Sequence, residues 1–311
     1  SEFMPVRLRS FGYSCAGMGY AIGYVMIAGF AYFIRDWRVF LKVCGSAEFI
    51  YLLYYFWIDE TPRWLHAKGK MEEGRKIIQK ISKMNNKDVS VIEDEIMALK
   101  SSSESSIGSW ESFLMFVKQP LLLMRLAILC FAWTIVVMTY YAIALNLNSL
   151  SGNRFLNIFY GGLMEVFNVT LFCIFVETKG RRNTYIGMMI ICALGIASTP
   201  FISMWFAQLS VATTMFSKLT VGVSFSVLYL YPAELFPTNL RQTTFGFCNM
   251  FGRFGGLIAP FLIYSSDNGN TVIPSLATSA VILFSVAQFL FLPKTKANQL
   301  PQNVEDALKL K

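Results

Sequence analysis

The sequence predicts an all-α integral membrane protein, and three observations predict it. Of its 311 residues, 55% are hydrophobic and only 15% charged, with a mean hydropathy of +0.49. A soluble domain of this length needs far more polar residues to cover its surface. Apolar windows matching the ~20 residues of a spanning helix recur along the chain. The cations between those windows fall in alternate loops, as topology-setting residues do.

Taken in order, eight windows are legible, near 11–33, 39–58, 121–145, 155–176, 183–204, 207–231, 243–264 and 271–292. In the first, Gly19 and Gly23 have the spacing that lets another helix approach closely, so both are expected on a packing face. In the fifth, Pro200 removes a helical donor near the end of the window and blurs its boundary. With the start of the chain on the cytoplasmic side, inside loops collect 20 Lys and Arg and outside loops 4. Both ends of this chain are therefore expected in the cytoplasm. The net charge of +8 is spread along the flanks of apolar runs rather than gathered in a patch, which excludes nucleic acid as the expected partner.

Residues 60–120 form the one long polar insertion. The stretch 71–83 has helical apolar spacing with mixed charges, and 89–100 repeats this around Ile92, Ile96 and Leu99. Two short amphipathic helices are expected there, followed by a serine-rich linker from Ser101 to Ser109. The six cysteines lie in or beside apolar runs without CxxC spacing, and the single histidine is His66. A zinc site or a histidine-based triad has no raw material, and neither metal nor cofactor is expected.

Three charges lie deep in apolar windows: Glu165, Lys218 and Arg253, about ten, eleven and ten residues in. Charges at membrane depth are costly and mark functional positions. Two readings remain open for them: a substrate site near the bilayer midplane, or an internal ion pair such as Glu165 with Lys218. Gly246, Asn249, Arg253, Gly256 and Pro260 share one helical stripe, whose small members leave room around the guanidinium. Trp133, Tyr140 and Ala144 share a face of the third window with Tyr141 beside it. Such an aromatic wall attracts organic cations through the ring faces. The turn Glu177-Thr-Lys-Gly-Arg-Arg182 bends at Gly180, and its arginines are expected to reach carboxylates such as Glu234 on the neighbouring loop. A charged latch of that kind can be made in one conformation and broken in another.

These residues resemble the major facilitator superfamily and, within it, the organic-ion transporters of solute carrier family 22. Glu177-x-x-Gly-Arg-Arg182 is similar to the superfamily's D/E-x-x-G-R-R/K turn between helices 8 and 9. Glu60-Thr-Pro-Arg63-Trp-Leu65 resembles the family's E-S/T-P-R-W-L signature after helix 6, and Asp36-Trp-Arg38 its D-W-R between helices 5 and 6. Tyr231-Pro-Ala-Glu-Leu-Phe-Pro-Thr-Asn-Leu-Arg241 resembles the sequence after helix 10. Leu292-Pro-Lys-Thr-Lys resembles the L-P-E-T-K-G tail, with Lys294 where the family has glutamate. Ser1-Glu-Phe with Arg9 looks like the segment that ends helix 4.

The resemblance implies an incomplete major facilitator fold: about eight transmembrane helices here, corresponding to helices 5–12, of twelve in two pseudosymmetric halves. Residues 1–58 would then close the N-terminal lobe, 59–120 link the lobes, 121–292 form the C-terminal lobe and 293–311 a cytoplasmic tail. It implies secondary transport of small organic ions by alternating access across a lipid bilayer, that of the plasma membrane, with Na⁺ or H⁺ as candidate coupling ions. Arg253 falls where cation transporters of the family have Asp and where anion and carnitine transporters have Arg. Glu165 falls at the acidic position that cation and carnitine transporters share, and Lys218 at a common basic position. This combination resembles the zwitterion-handling branch, with Arg253, Glu165, Lys218, Trp133, Tyr140, Tyr141 and Asn249 as expected substrate contacts. Glu177, Gly180, Arg181, Arg182, Glu234, Arg241 and Arg63 would form the cytoplasmic gate. An organic-anion transporter using Arg253 and Lys218 is the alternative. A membrane-embedded enzyme would need catalytic groups that the apolar windows lack, and a piece missing half of its site is expected not to transport.

Overall fold

Every described element of the computed structural model is a helix, as the apolar windows require. The structure describes residues 9–50, 70–85, 117–147, 152–266, 271–295 and 304–308, with the single positions Leu52, Leu65, Leu150 and Pro301. Arg63, the second amphipathic stretch at 89–100 and the serine linker lie outside the described residues. In chain order the helices are α1 (Arg9–Phe33), α2 (Trp37–Glu48), α3 (Met71–Asn85), α4 (Pro120–Asn146), α5 (Arg154–Lys179), α6 (Arg181–Trp205), α7 (Ala207–Leu235), α8 (Thr238–Ser266), α9 (Val272–Phe289) and α10 (Val304–Leu308).

Their ends follow local chemistry. Asp36 caps α2 by accepting from the Arg38 backbone N–H at 2.8 Å, which gives the Asp-Trp-Arg sequence a structural meaning. Asn153 caps α5 in the same way from Phe155 at 2.9 Å, and Pro120 opens α4 with a preset φ. Gly180 alone separates α5 from α6, at φ 78°, a region that L side chains avoid. Pro200 does not end α6, which continues to Trp205. Around it Ser198 and Thr199 donate to the Gly195 carbonyl, and Ser203 to that of Pro200.

Two compact units divide the chain. One holds residues 1–12 and 34–108, with α2 and α3. There α3 is the expected amphipathic helix, with Gly74, Ile78 and Ser82 buried at a spacing of four and Glu72 and Glu73 in its first turn. The other unit holds residues 13–33 and 109–311. Five of its helices, α4 to α7 and α9, are long and apolar enough to cross a membrane. The 29-residue α8 has the length, though Asn249, Arg253 and several glycines dilute its apolar content. Large apolar side chains cover its outside, with Trp205 at 82% and Phe291 at 74% exposure. The molecule is a multi-pass membrane protein.

Within this unit α8 packs most extensively on α4, α6 on α7 and α9, and α7 also on α5. Glycines set the closest approaches. A Cβ at Gly255 would lie 2.1 Å from the Thr134 carbonyl, and one at Gly162 would lie 2.9 Å from the Tyr24 ring on α1. At Gly19 and Gly23 a Cβ would meet nothing within 4 Å. Among the described residues the expected face at Gly19 and Gly23 meets no partner, and small residues on α5 and α8 let their partners in. At the opposite end from Arg154, Tyr231 donates to the Pro293 carbonyl, and Arg125 to that of Ala307 at 2.6 Å, so α10 docks onto the bundle.

Candidate functional site

A cavity of about 420 Å³ opens among α1, α4, α5, α7 and α8. Helical periodicity builds its wall. Trp133, Val137, Tyr140 and Tyr141 come from α4; Glu165, Asn168, Val169 and Phe172 from α5; Phe225, Ser226 and Tyr229 from α7; and Asn249, Gly252 and Arg253 from α8. Six of the seven expected substrate contacts thus meet at one cavity. Of the expected stripe on α8, Asn249 and Arg253 line it with Gly252, whereas Gly246, Gly256 and Pro260 do not.

Lys218 is the exception. Its side chain is 0% exposed and sits behind Glu165 rather than on the wall. Its ammonium donates to the Gly161 carbonyl at 2.7 Å, lies 3.4 Å from Glu165 Oε1, and stands 4.3 Å from the centre of the Tyr24 ring. Of the two readings the sequence left open for this residue, the structure shows the internal ion pair with Glu165, and Lys218 is not on the cavity wall.

The carboxylate of Glu165 is held from several directions. Tyr140 Oη donates to Oε1 at 2.7 Å and Asn168 Nδ2 to Oε2 at 3.1 Å. Tyr20 Oη lies 3.4 Å from Tyr140 Oη and extends the network to α1. Gly222 makes room for it, since a Cβ there would stand 2.8 Å from Asn168 Nδ2. This network leaves the Asn168 Oδ1 acceptor buried without a partner.

The aromatic part of the wall is larger than the sequence suggested. Trp133 meets Tyr229 at 4.9 Å, Phe225 at 5.8 Å and Phe245 at 5.7 Å between ring centres. Tyr140 stacks on Phe225 at 5.6 Å and meets Tyr141 edge-on at 5.8 Å. Phe225 and Tyr229 were not singled out, although their i,i+4 spacing on α7 could have revealed them; nor was Asn168, three residues after Glu165. Trp133 is 1% exposed and its indole N–H has no acceptor. Arg253 has no paired carboxylate among the described residues. The cavity therefore presents one buried unmet donor, the Trp133 N–H, and one buried unmet acceptor, Asn168 Oδ1 beside Glu165, while Arg253 is an exposed cation on its wall. Buried polar groups are normally satisfied, so unmet ones on a cavity wall point to a ligand or to water.

The residues expected to form the gate cluster elsewhere in the unit. Arg181 pairs with Glu234 at 2.6 Å, their side chains 19% and 13% exposed. Glu234 lies in the last turn of α7 rather than in a loop. Arg182 donates to the Leu290 carbonyl, Arg241 adds positive potential at Glu234, and Glu177 is exposed at the end of α5. A second cavity of about 470 Å³ lies among α4 and α6 to α9; hydroxyls such as Thr139, Thr199 and Thr214 line it and no charged side chain does.

Comparison with known proteins agrees with this architecture. The sugar (and other) transporter family model matches residues 1–305. The chain is 30% identical to an organic cation transporter protein of Drosophila melanogaster, over 98% of this chain and 57% of that one. It is 30% identical to solute carrier family 22 member 15-like of Xenopus laevis, over 94% and 60% of the two chains. It is 28% identical to solute carrier family 22 member 3 of Rattus norvegicus, over 94% and 52%. The chain thus spans a little over half the length of these relatives. In fold it is similar to the proton:xylose symporter XylE, bound to 6-bromo-6-deoxy-D-glucose, with a TM-score of 0.74 over 98% of this chain and 68% of that one at 18% identity. The family model and the relatives place it: this chain belongs to the sugar (and other) transporter family of the major facilitator superfamily, alongside the solute carrier 22 proteins.

Proposed function

We propose that the protein is a secondary transporter of organic ions, working by alternating access in the plasma membrane with both ends of this chain in the cytoplasm, and that its preferred solutes are zwitterions. The observation that carries the substrate class is that one cavity presents a cation, Arg253, and an acidic, aromatic face around Glu165. Arg253 and the Trp133 N–H are donors suited to a carboxylate, which Arg can take in a bidentate contact. Asn168 Oδ1, Glu165 and the ring faces of Tyr140, Phe225 and Tyr229 suit an ammonium group. A carnitine-like solute offers both ends. The Arg181–Glu234 pair serves as the latch on the cytoplasmic side, and Na⁺ or H⁺ supplies the driving force.

The test is uptake of carnitine, tetraethylammonium and p-aminohippurate side by side, by the complete protein, with and without sodium. Carnitine uptake is expected to dominate. Arg253→Asp should cost carnitine about 10- to 150-fold, the worth of one charge-assisted contact of about 1.5–3 kcal/mol, and should favour tetraethylammonium. Selectivity unchanged by Arg253→Asp overturns the reading. Uptake of p-aminohippurate alone would instead favour an anion transporter anchored on Arg253, which would have to draw Lys218 away from Glu165.

A further inference from the structure

We propose that the acidic end of this cavity is an ammonium-binding site that the chain fills with its own Lys218, and that this tethered ammonium sets the charge preference of the cavity. The inference rests on the organic-ion reading and assigns Lys218 a part in its specificity.

The geometry is that of ligand recognition. The Lys218 ammonium donates to the Gly161 carbonyl oxygen at 2.7 Å and faces a carboxylate oxygen of Glu165 at 3.4 Å. The face of the Tyr24 ring lies 4.3 Å away and that of Tyr140 5.9 Å away. Carbonyl, carboxylate and ring faces are the groups that bind organic ammonium ions. Gly161 is shaped to the arrangement, since a Cβ there would stand 3.2 Å from the Lys218 nitrogen. Stability alone does not account for it, because a buried ion pair rarely outdoes well-packed apolar residues of the same volume.

The consequence follows from counting charges. Glu165 Oε1 is shared between Tyr140 and Lys218, so the one carboxylate among the described residues of the wall already faces a cation. Arg253 then leaves the cavity with a surplus positive charge. A simple organic cation meets that surplus with Glu165 already engaged. A carboxylate-bearing solute gains from Arg253, and its ammonium end still finds the unpartnered Asn168 Oδ1. Without Lys218, Glu165 and Arg253 balance, and the site behind Glu165 is open to an external ammonium.

The test removes the tether. Lys218→Ala deletes three methylenes and the ammonium, the atoms of n-propylammonium. In the purified complete protein, n-propylammonium should raise the melting temperature of Lys218→Ala saturably. It should leave the wild type unchanged, and n-propanol should do less. In Glu165→Gln/Lys218→Ala the n-propylammonium affinity should fall about tenfold or more. No stabilisation of Lys218→Ala, or equal stabilisation of the wild type, overturns the proposal. Because Lys218→Ala also opens a cavity in the bundle and risks misfolding, Lys218→Met, which fills the space of the stem without the ammonium, provides the second arm. Its tetraethylammonium-to-carnitine uptake ratio should rise about tenfold, and an unchanged ratio overturns the proposal as well. Binding of n-propylammonium by Lys218→Ala, with no uptake of any organic ion by the wild type, would keep the ammonium site and remove the transport reading.

Discussion

Tyr140 shows how much one side chain can join. Its ring stacks on Phe225, its hydroxyl donates to Glu165 at 2.7 Å, and Tyr20 stands 3.4 Å beyond. Tyr140→Phe keeps the ring and removes one hydrogen bond to a buried charge, worth about 1.5–3 kcal/mol. Carnitine affinity should fall about tenfold in uptake assays, while tetraethylammonium, which relies more on ring faces, should change less. At Gly180 the demand is on the backbone. Its φ of 78° is one that L side chains rarely adopt, so Gly180→Ala should cost about 1–2 kcal/mol, read as a lower melting temperature in detergent or nanodiscs. The sequence alone made both residues visible, one through its aromatic neighbours and the other through the charged turn. It could not show that Lys218 turns inward, because charge and depth are the same for a residue that faces the cavity and one that backs onto it.

Among the helices, α4 and α8 make the closest pair, and Gly255 is why. A methyl group there would lie 2.1 Å from the Thr134 carbonyl and 3.0 Å from the Met138 nitrogen, both backbone atoms that cannot swing aside. Gly255→Ala should force the two helices apart and cost about 1–3 kcal/mol, with Trp133 and Arg253 displaced across the cavity. Gly246→Ala on the same helix meets open space and should leave the melting temperature within error. An equal effect of the two substitutions would remove the close-packing account. Spacing of small residues suggested Gly19 and Gly23 as such a point. The actual contacts fall at Gly161, Gly162 and Gly255, because a small residue permits close approach but the partner helix decides where approach occurs.

For the whole molecule, the charged cluster around Arg181 and Glu234 links the turn after α5 to the end of α7. Arg181→Glu and Glu234→Arg should each reduce uptake and stability, and the swapped double variant should recover much of both, with a coupling of about 0.5–3 kcal/mol in a double-mutant cycle. Additive losses would show the pair to be incidental. The basic residues of this turn also bias topology, so glycosylation mapping of the variants separates misorientation from loss of the ion pair.

The sequence by itself determined the all-helical membrane fold, the helix limits to within a few residues at most boundaries, and the family. Those follow from apolar length, from the charge asymmetry of the loops and from local motifs such as the charged turn around Gly180, all properties of short stretches of chain. It also named most of the charged and aromatic residues of the cavity, since a charge at membrane depth is costly wherever it lies. Only the tertiary structure decided which of them share a cavity, that Phe225, Tyr229 and Asn168 join them, and that Lys218 pairs with Glu165 behind the wall. Those are questions of which helix faces meet, and rotation of one helix against another is set by glycine contacts and side-chain packing between segments distant in the chain.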